Sequence, residues 1–484
     1  MPTMEKYDSE YGTFEDNAPS SDLPEGKTQS SGNKWLMLAI LSLLSGTNQA
    51  ICYSYAPIVT LSEHRWKQQL HSTELITIYF ISYIPCSFFG SWIIDRMGLR
   101  YGVLLGAMLQ ALGASFRYLG TQYGLWNEVY LTILGQVLAA VAMPFMVNSP
   151  PVLSANWFPT SLRATATSIA VNANAMGIAV VYLTAPFLVH TIQDIPSWEA
   201  MIAGLAIALW ILTYFAFVSF PESPWPTRFG RKRNSINMFE TASTISDVHL
   251  QDEYNWKQWG NAFAHSGFWI TVLVFSVAEC VLNAMSALLA KFLSTEGFSK
   301  PQVGTIGALF IVSSLVGGQV ISRFVDRRQN HVQALQVCIF ASAVSLTLFK
   351  FTLSVTSGLL TLTTLLLLGA VLGPLQPIVL ELGVECAFPT SESTVAALQQ
   401  LCGNFLSAIL VPLFSILRRK HVDITGRVPH SYIYATPEWI MVFLLLLTSA
   451  VFCFFNGEYK RAKHEQLRLE YSKPILPTVV GSER

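Results

Sequence analysis

Twelve apolar runs, each near the ~20 residues a helix needs to cross a bilayer, follow one another along the chain between residues 35 and 455. They are expected at Trp35–Leu61, Leu75–Ile94, Tyr101–Leu119, Val129–Leu153, Arg163–Val189 and Glu199–Phe220. After a long polar stretch they resume at Gly267–Phe292, Val303–Phe324, Val332–Phe349, Leu359–Cys386, Thr394–Leu417 and Trp439–Phe455. Hydrocarbon offers the backbone no hydrogen-bond partner, so each run must satisfy its own amides as a helix. The chain is 52% hydrophobic and 12% charged, against ~25% charged in soluble domains; no water-soluble core could hide that much apolar surface. The expected fold class is an all-α membrane protein of twelve transmembrane helices in two six-helix bundles, at 34–220 and 265–456. A polar tail at 1–33, a linker at 221–264 and a charged tail at 457–484 complete the chain.

Thirty basic and thirty acidic residues leave no net charge, which argues against nucleic acid and leaves a lipid bilayer and a small-molecule substrate as partners. All seven cysteines fall in apolar runs without a CxxC pair, so neither disulfide nor zinc site is expected. No cofactor or metal is expected, a monomer is, and without a His/Asp or Cys/His cluster at membrane depth an enzyme is not. Lys and Arg gather on one side: Arg96 and Arg100, the linker cluster Arg228, Arg231, Lys232 and Arg233, then Arg323, Arg327 and Arg328, and finally Lys460, Arg461 and Lys463. That side is expected to be cytoplasmic and to hold both termini. Arg418, Arg419, Lys420 and Arg427 fall on the opposite side, against the rule. Tyr11-Gly12-Thr13-Phe14 fits a tyrosine-based sorting pattern, so the plasma membrane and endosomal or lysosomal membranes are the expected locations.

The two halves repeat one another. Asp95-Arg96 recurs 231 residues on as Asp326-Arg327, and Phe158-Pro159-Thr160-Ser161 recurs 230 residues on as Phe388-Pro389-Thr390-Ser391. Two matches at almost one offset, in equivalent topological places, imply two parallel six-helix units. The offset pairs Asn48 with Glu279, Cys52 with Asn283, and Asn174 with Asn404. All six fall near mid-span, where polar groups are costly unless they face protein, water or a ligand. Gln49, Asn172, Gln376, Gln399 and Gln400 lie at similar depth. Glu279 and Asn283 share a helix face, as do Gln400 and Asn404. Interhelical hydrogen bonding is the plain reading of each residue alone; the clustered, symmetry-related set favours a substrate site. Glu279 is the carboxylate expected at mid-membrane, able to bind a cation, carry a proton or stay neutral and structural. Arg117, Lys291 and Lys350 are placed at helix ends. Glu381 and Glu385 lie lower in the tenth span, as a gate with Arg163 or Arg323 or as plain surface groups.

The second and third spans meet in GSWIIDRMGLR, Gly90 to Arg100. Asp95 can accept from amides at a helix N-terminus, where the dipole favours a carboxylate, Arg96 and Arg100 can reach carboxylates and lipid phosphates, and Gly98 permits the turn. With Gly90, Asp95, Arg96, Gly98 and Arg100 in place, the stretch resembles the signature loop of the major facilitator superfamily. The resemblance implies a carrier working by alternating access, in which these residues and their counterparts Asp326 and Arg327 act as gates, with Glu385 as the candidate gate residue of the tenth span.

NQAICYSYAPI, LSANWFPTSLRATATSIA, SALLAKFLSTEGFSKPQVGTIGALFI and LELGVECAFPTSES resemble one branch of that superfamily, the feline leukaemia virus subgroup C receptor-related transporters. The likeness runs through the spans and not the tails or linker. It implies a carrier of a small polar or cationic metabolite of the choline, ethanolamine, haem or vitamin class. In choline-carrying members a first-span tryptophan and a seventh-span tyrosine cage the ammonium by cation–π contact; here Cys52 and Asn283 stand at those places, and Tyr53 and Tyr55 are candidate replacement aromatics. All nine histidines lie in loops, tails or helix ends, which disfavours haem. The expected substrate-binding set is Asn48, Gln49, Cys52, Tyr53, Asn174, Glu279, Asn283, Gln400 and Asn404. The competing readings are a transport-inactive receptor or scaffold and a proton-coupled carrier of an uncharged or anionic solute.

Overall fold

The computed structural model of the protein describes residues 31–67, 69–122, 127–158, 160–218, 262–265, 267–328, 330–355, 358–388, 390, 392–422, 437–460 and 463. The Tyr11–Phe14 pattern and nearly all of the expected tails and linker lie outside them. All regular structure among the described residues is helical. The first half comprises α1 (Ser31–Tyr53), α2 (Val59–Arg65), α3 (Ser72–Met97), α4 (Leu99–Gly120), α5 (Glu128–Val147), α6 (Ser149–Trp157), α7 (Thr160–Leu188) and α8 (Ile195–Ala216). The second comprises α9 (Phe268–Thr295), α10 (Lys300–Arg328), α11 (His331–Val355), α12 (Gly358–Leu372), α13 (Leu375–Ala387), α14 (Glu392–Val422) and α15 (Pro437–Phe452). Among the described residues eleven helical segments are long and apolar enough to cross a membrane, and the shorter apolar helix Pro437–Phe452 takes the twelfth place.

Proline shortens the first expected span and puts a break inside the fourth and tenth, which keep their expected bounds as Glu128–Ser154 and Gly358–Ala387. The first was expected to be unbroken to Leu61, but α1 stops at Tyr53 and α2 begins at Val59. Pro57 lacks an N–H, and its ring clashes with the carbonyl four residues back, that of Tyr53. The fourth span divides at Asn148 ahead of Pro150 and Pro151, which sit in the first turn of α6 where an amide is dispensable. The tenth divides at Gly373-Pro374. Between α3 and α4 the connection expected over residues 95–100 shrinks to Gly98 alone, at φ 92° and ψ 160°, a conformation open only to glycine. Gly90 lets α3 cross α5, since a Cβ there would lie 3.0 Å from Pro144 Cβ.

The halves meet along two seams, α7 with α10 and α3 with α14. The repeat relates α3 to α10 and α7 to α14, so these are one seam used twice. On the face opposite Gly98, Thr73 and Ser415 hydroxyls lie 2.8 Å apart, Lys300 Nζ donates to His190 O at 3.1 Å, and Tyr182 Oη donates to Ser286 O at 2.5 Å. Gly304 and Gly307 of α10 offer a flat surface to Tyr182 and Pro186 of α7. A further bond, Gln319 to Ser168, lies nearer the Gly98 face. The protein is therefore closed on the face opposite the hairpin.

The structure also reveals a symmetry that the spacing did not. Arg117, late in the third helix of its half, pairs with Glu199, early in the sixth, at 2.8 Å with both side chains fully buried. Lys350 and Glu438 occupy the equivalent places in the second half, 3.3 Å apart. Arg418 shares Glu438 at 3.2 Å and lies over the Phe292 ring. That accounts for one basic residue on the side where the Lys/Arg bias did not want it. Arg117 is at a helix end as expected, but it is interior rather than exposed. Its guanidinium also donates to Gln136 Oε1, Ser54 Oγ and Ile51 O. Arg117→Met would strand the Glu199 carboxylate, at a cost of about 3–5 kcal/mol. Adding Glu199→Leu is expected to recover most of that, since Ile51 O keeps the Ser54 hydroxyl as a donor at 3.1 Å. Thermal unfolding of the purified variants measures both, and a double variant no more stable than the single one refutes the pairing.

Candidate functional site

Glu279 lies near the middle of α9, and three amides converge on it. Gln400 Nε2 of α14 donates to Oε1 at 2.7 Å, Asn283 Nδ2 to the same oxygen at 3.4 Å, and Gln376 Nε2 of α13 to Oε2 at 2.5 Å. The local sequence dictates this convergence. Glu279 and Asn283 are one helical turn apart, and Gln400, Gly403, Asn404 and Ser407 form a single stripe on α14. Gly403 brings α14 against the acid, for a Cβ there would lie 3.0 Å from Glu279 Cγ. Asn283 also donates to Ser407 Oγ at 3.1 Å. From the other half, Tyr53 at the broken end of α1 donates its hydroxyl to Asn283 Oδ1 at 3.3 Å, so the cluster sits where the halves meet. Glu279 is 9% exposed, and Gln376, Gln400 and Asn283 are half-buried.

Among the described residues no Lys, Arg or His lies within ion-pair distance of Glu279. Its carboxylate is held in place by neutral donors alone. Gln49 Oε1 and Asn404 Oδ1, both buried, find no protein partner, which leaves acceptors for water or for a donor on a ligand.

The expected residues divide between this cluster and its surroundings. Glu279, Asn283, Gln400 and Tyr53 come together. Asn404 donates to Gln400 O at 3.0 Å within α14. Asn48 is fully buried and donates to Ala139 O of α5 at 3.0 Å, a helix–helix bond away from the carboxylate. Asn174 donates to Ser45 Oγ at 3.1 Å, joining α7 to α1. Cys52 and Gln49 are buried in α1. Gln376 was placed at the right depth but not in the expected set, and Ser407 was missed although the Gln400–Ser407 stripe was legible. On the hairpin face Arg100 Nη2 donates to Tyr214 O at 3.2 Å and Arg96 lies over the Trp92 ring. Of Asp95, Asp326 and Arg327 only the helix positions are given, their side chains lying outside the described residues. Glu385 is half-buried near the end of α13.

Comparison with known proteins agrees with this architecture. The family model for the Major Facilitator Superfamily matches residues 38–412. The chain is 27% identical over 443 residues to solute carrier family 49 member A3 of Xenopus tropicalis, covering 88% of each. It is 24% identical over 449 residues to choline/ethanolamine transporter FLVCR2 of Homo sapiens, covering 91% of this chain and 80% of that one. Among solved structures, a D-xylose-proton symporter superimposes with a TM-score of 0.66 at 15% identity, over 88% of this chain and 98% of that one, a likeness of fold alone.

Tight packing around Glu279 gives a direct check. Gly403→Leu is expected to destabilise the protein by about 1–3 kcal/mol through overpacking, and Gly403→Ala by clearly less. Thermal unfolding in detergent compares them; equal stability of all three proteins would mean that α14 does not press on Glu279.

Proposed function

The chain belongs to the Major Facilitator Superfamily, and from that premise we propose that it carries a small organic cation across its membrane, with Glu279 as the counter-ion at the centre. The observation that carries this is a mid-span carboxylate, fixed by three amides from three helices, with no basic partner among the described residues. A charge at that depth is costly and marks a substrate or ion path by default. An ammonium group supplies the missing opposite charge where the dielectric is low and the attraction strong. Tyr53 offers an aromatic face and a hydroxyl from the other half, and the spare oxygens of Gln49 and Asn404 offer acceptors. Relatives named as choline/ethanolamine transporters support an amine-bearing substrate. Cys52 and Asn283 at the places of their aromatic cage support a cation bound by a carboxylate rather than by two rings.

Alternating access follows from the seams. Closure opposite the hairpin and two equivalent helix pairs support a rocking of one half against the other around a fixed site. The Lys/Arg bias supports a cytoplasmic hairpin face, so the closed face is read as the outer one. Gly90, Asp95, Arg96, Gly98 and Arg100, with Asp326, Arg327 and Glu385, are read as the gate that forms when the hairpin face closes.

A mid-span carboxylate is also the residue type that proton-coupled carriers use, and one experiment separates the two roles. Choline and ethanolamine serve as probes in proteoliposomes, with binding, uphill uptake and counterflow measured for the parent and Glu279→Gln. The counter-ion role predicts at least about tenfold weaker binding, or 1.4 kcal/mol, and loss of both fluxes. A proton role predicts intact binding and counterflow with uphill uptake lost. Identical behaviour in all three assays would leave Glu279 a structural acid.

A further inference from the structure

The short helix α2 is held to one half and reaches across to the other. Arg65, almost wholly buried, donates from Nη1 to Glu128 Oε2 at 2.8 Å and from Nη2 to Thr121 O at 2.9 Å. Both partners belong to the α4–α5 connection of the same half, so α2 travels with that half. Two residues earlier, Glu63 Oε1 lies 2.7 Å from Lys291 Nζ, near the end of α9 in the other half, and 3.1 Å from His71 Nδ1. Arg117–Glu199, Arg65–Glu128, Lys350–Glu438 and Arg418–Glu438 each stay within a half; Glu63–Lys291 crosses between them.

We propose that Glu63 and Lys291 form the charged latch of the face opposite the hairpin, a contact that must break each time that face opens to admit or release substrate. The inference rests on the alternating-access reading but not on the identity of the substrate. Side-chain exposures of 22% for Glu63 and 13% for Lys291 make this a partly desolvated pair, worth more than an ion pair in open water. Burial alone would push the Glu63 carboxyl up, but Lys291 and His71 outweigh it and hold the group below the usual carboxylate range, so it is charged at neutral pH. His71, which lies against Glu63, is two residues from Thr73, whose hydroxyl meets that of Ser415 at the seam of α3 and α14.

Opening can be read without any ligand. Thr73 is 1% exposed, so a cysteine placed there reacts with a maleimide only when the face opens. The full-length Thr73→Cys protein is labelled in detergent at pH 8, and labelling of the parent's own cysteines is subtracted. Glu63→Gln and Lys291→Gln, each in that background, are expected to raise the labelling rate about three- to tenfold. The exchange Glu63→Lys with Lys291→Glu is expected to return it to within about twofold of the Thr73→Cys protein. Thermal unfolding of each variant separates opening of the seam from general loss of structure. Single variants that label at the Thr73→Cys rate overturn the latch, as does an exchange that labels as fast as the singles. Loss of choline or ethanolamine transport would bear on the substrate reading and leave this result untouched.

Discussion

The Arg117 guanidinium is the interaction on which the first half depends. Hydrocarbon leaves no backbone carbonyl a partner outside the protein, and Pro57 frees carbonyls at the end of α1 by ending the helix at Tyr53. Arg117 reaches from α4 to take up Ile51 O, with Ser54 Oγ and Gln136 Oε1 as further acceptors. Glu199 supplies the countercharge that makes a buried arginine tolerable. The Tyr55 ring closes the last side at 4.6 Å. One side chain thus ties α1, α4, α5 and α8 together at the point where α1 is broken. Tyr53 inherits its position from that knot, and its hydroxyl joins the first half to the Glu279 cluster through Asn283.

The repeat explains why the halves are alike in frame and unlike in content. The seams α3–α14 and α7–α10 and the ion pairs Arg117–Glu199 and Lys350–Glu438 obey the pseudo-symmetry. The central polar residues use the same helix positions for different ends. Asn48 joins α1 to α5 through Ala139 O, where its counterpart Glu279 faces the amides of α13 and α14. Asn174 joins α7 to α1 through Ser45, where its counterpart Asn404 stays within α14 and leaves Gln400 to reach across. The Asn48 amide carries donors and closes a contact to one carbonyl while its own oxygen is left over, but a carboxylate has two acceptor oxygens and a charge to satisfy. That difference gathers donors around Glu279 and leaves Asn48 in a plain packing contact.

Features set by composition along the chain were legible before any coordinates. The twelve spans follow from hydropathy, and the two-unit design follows from the recurrence of Asp-Arg and Phe-Pro-Thr-Ser. Glu279 stands out because an acid in an apolar run is rare whatever surrounds it. Features set by neighbours were not legible. Asn48 and Gln376 read alike as amides at one depth, and only the approach of α5 or α13 decides that one bonds a carbonyl and the other a carboxylate. Arg117 read as a helix-end charge because its partner lies 82 residues away, beyond any local period. The break after Tyr53 was available in Pro57, but the apolar run continuing to Leu61 masked it.

The broken first span also puts binding and closure on one short piece of chain. Tyr53 ends α1 at the central cluster, and Glu63 stands on α2 ten residues later at the seam. A ligand shifts a conformational equilibrium only by its difference in affinity for the two states. If the closed face were held by several buried pairs of the Arg117–Glu199 kind, no small solute could supply that difference on each cycle. Among the described residues that face is held by three hydrogen bonds and one partly exposed ion pair, and breaking such a pair costs only about 1 kcal/mol. That lies well within the several kcal/mol by which a ligand must discriminate to turn over a two-state equilibrium. Among the described residues the fully buried pair Arg117–Glu199 lies within a half, where it keeps the bundle rigid, and the pair proposed as the latch lies between the halves, where it can yield.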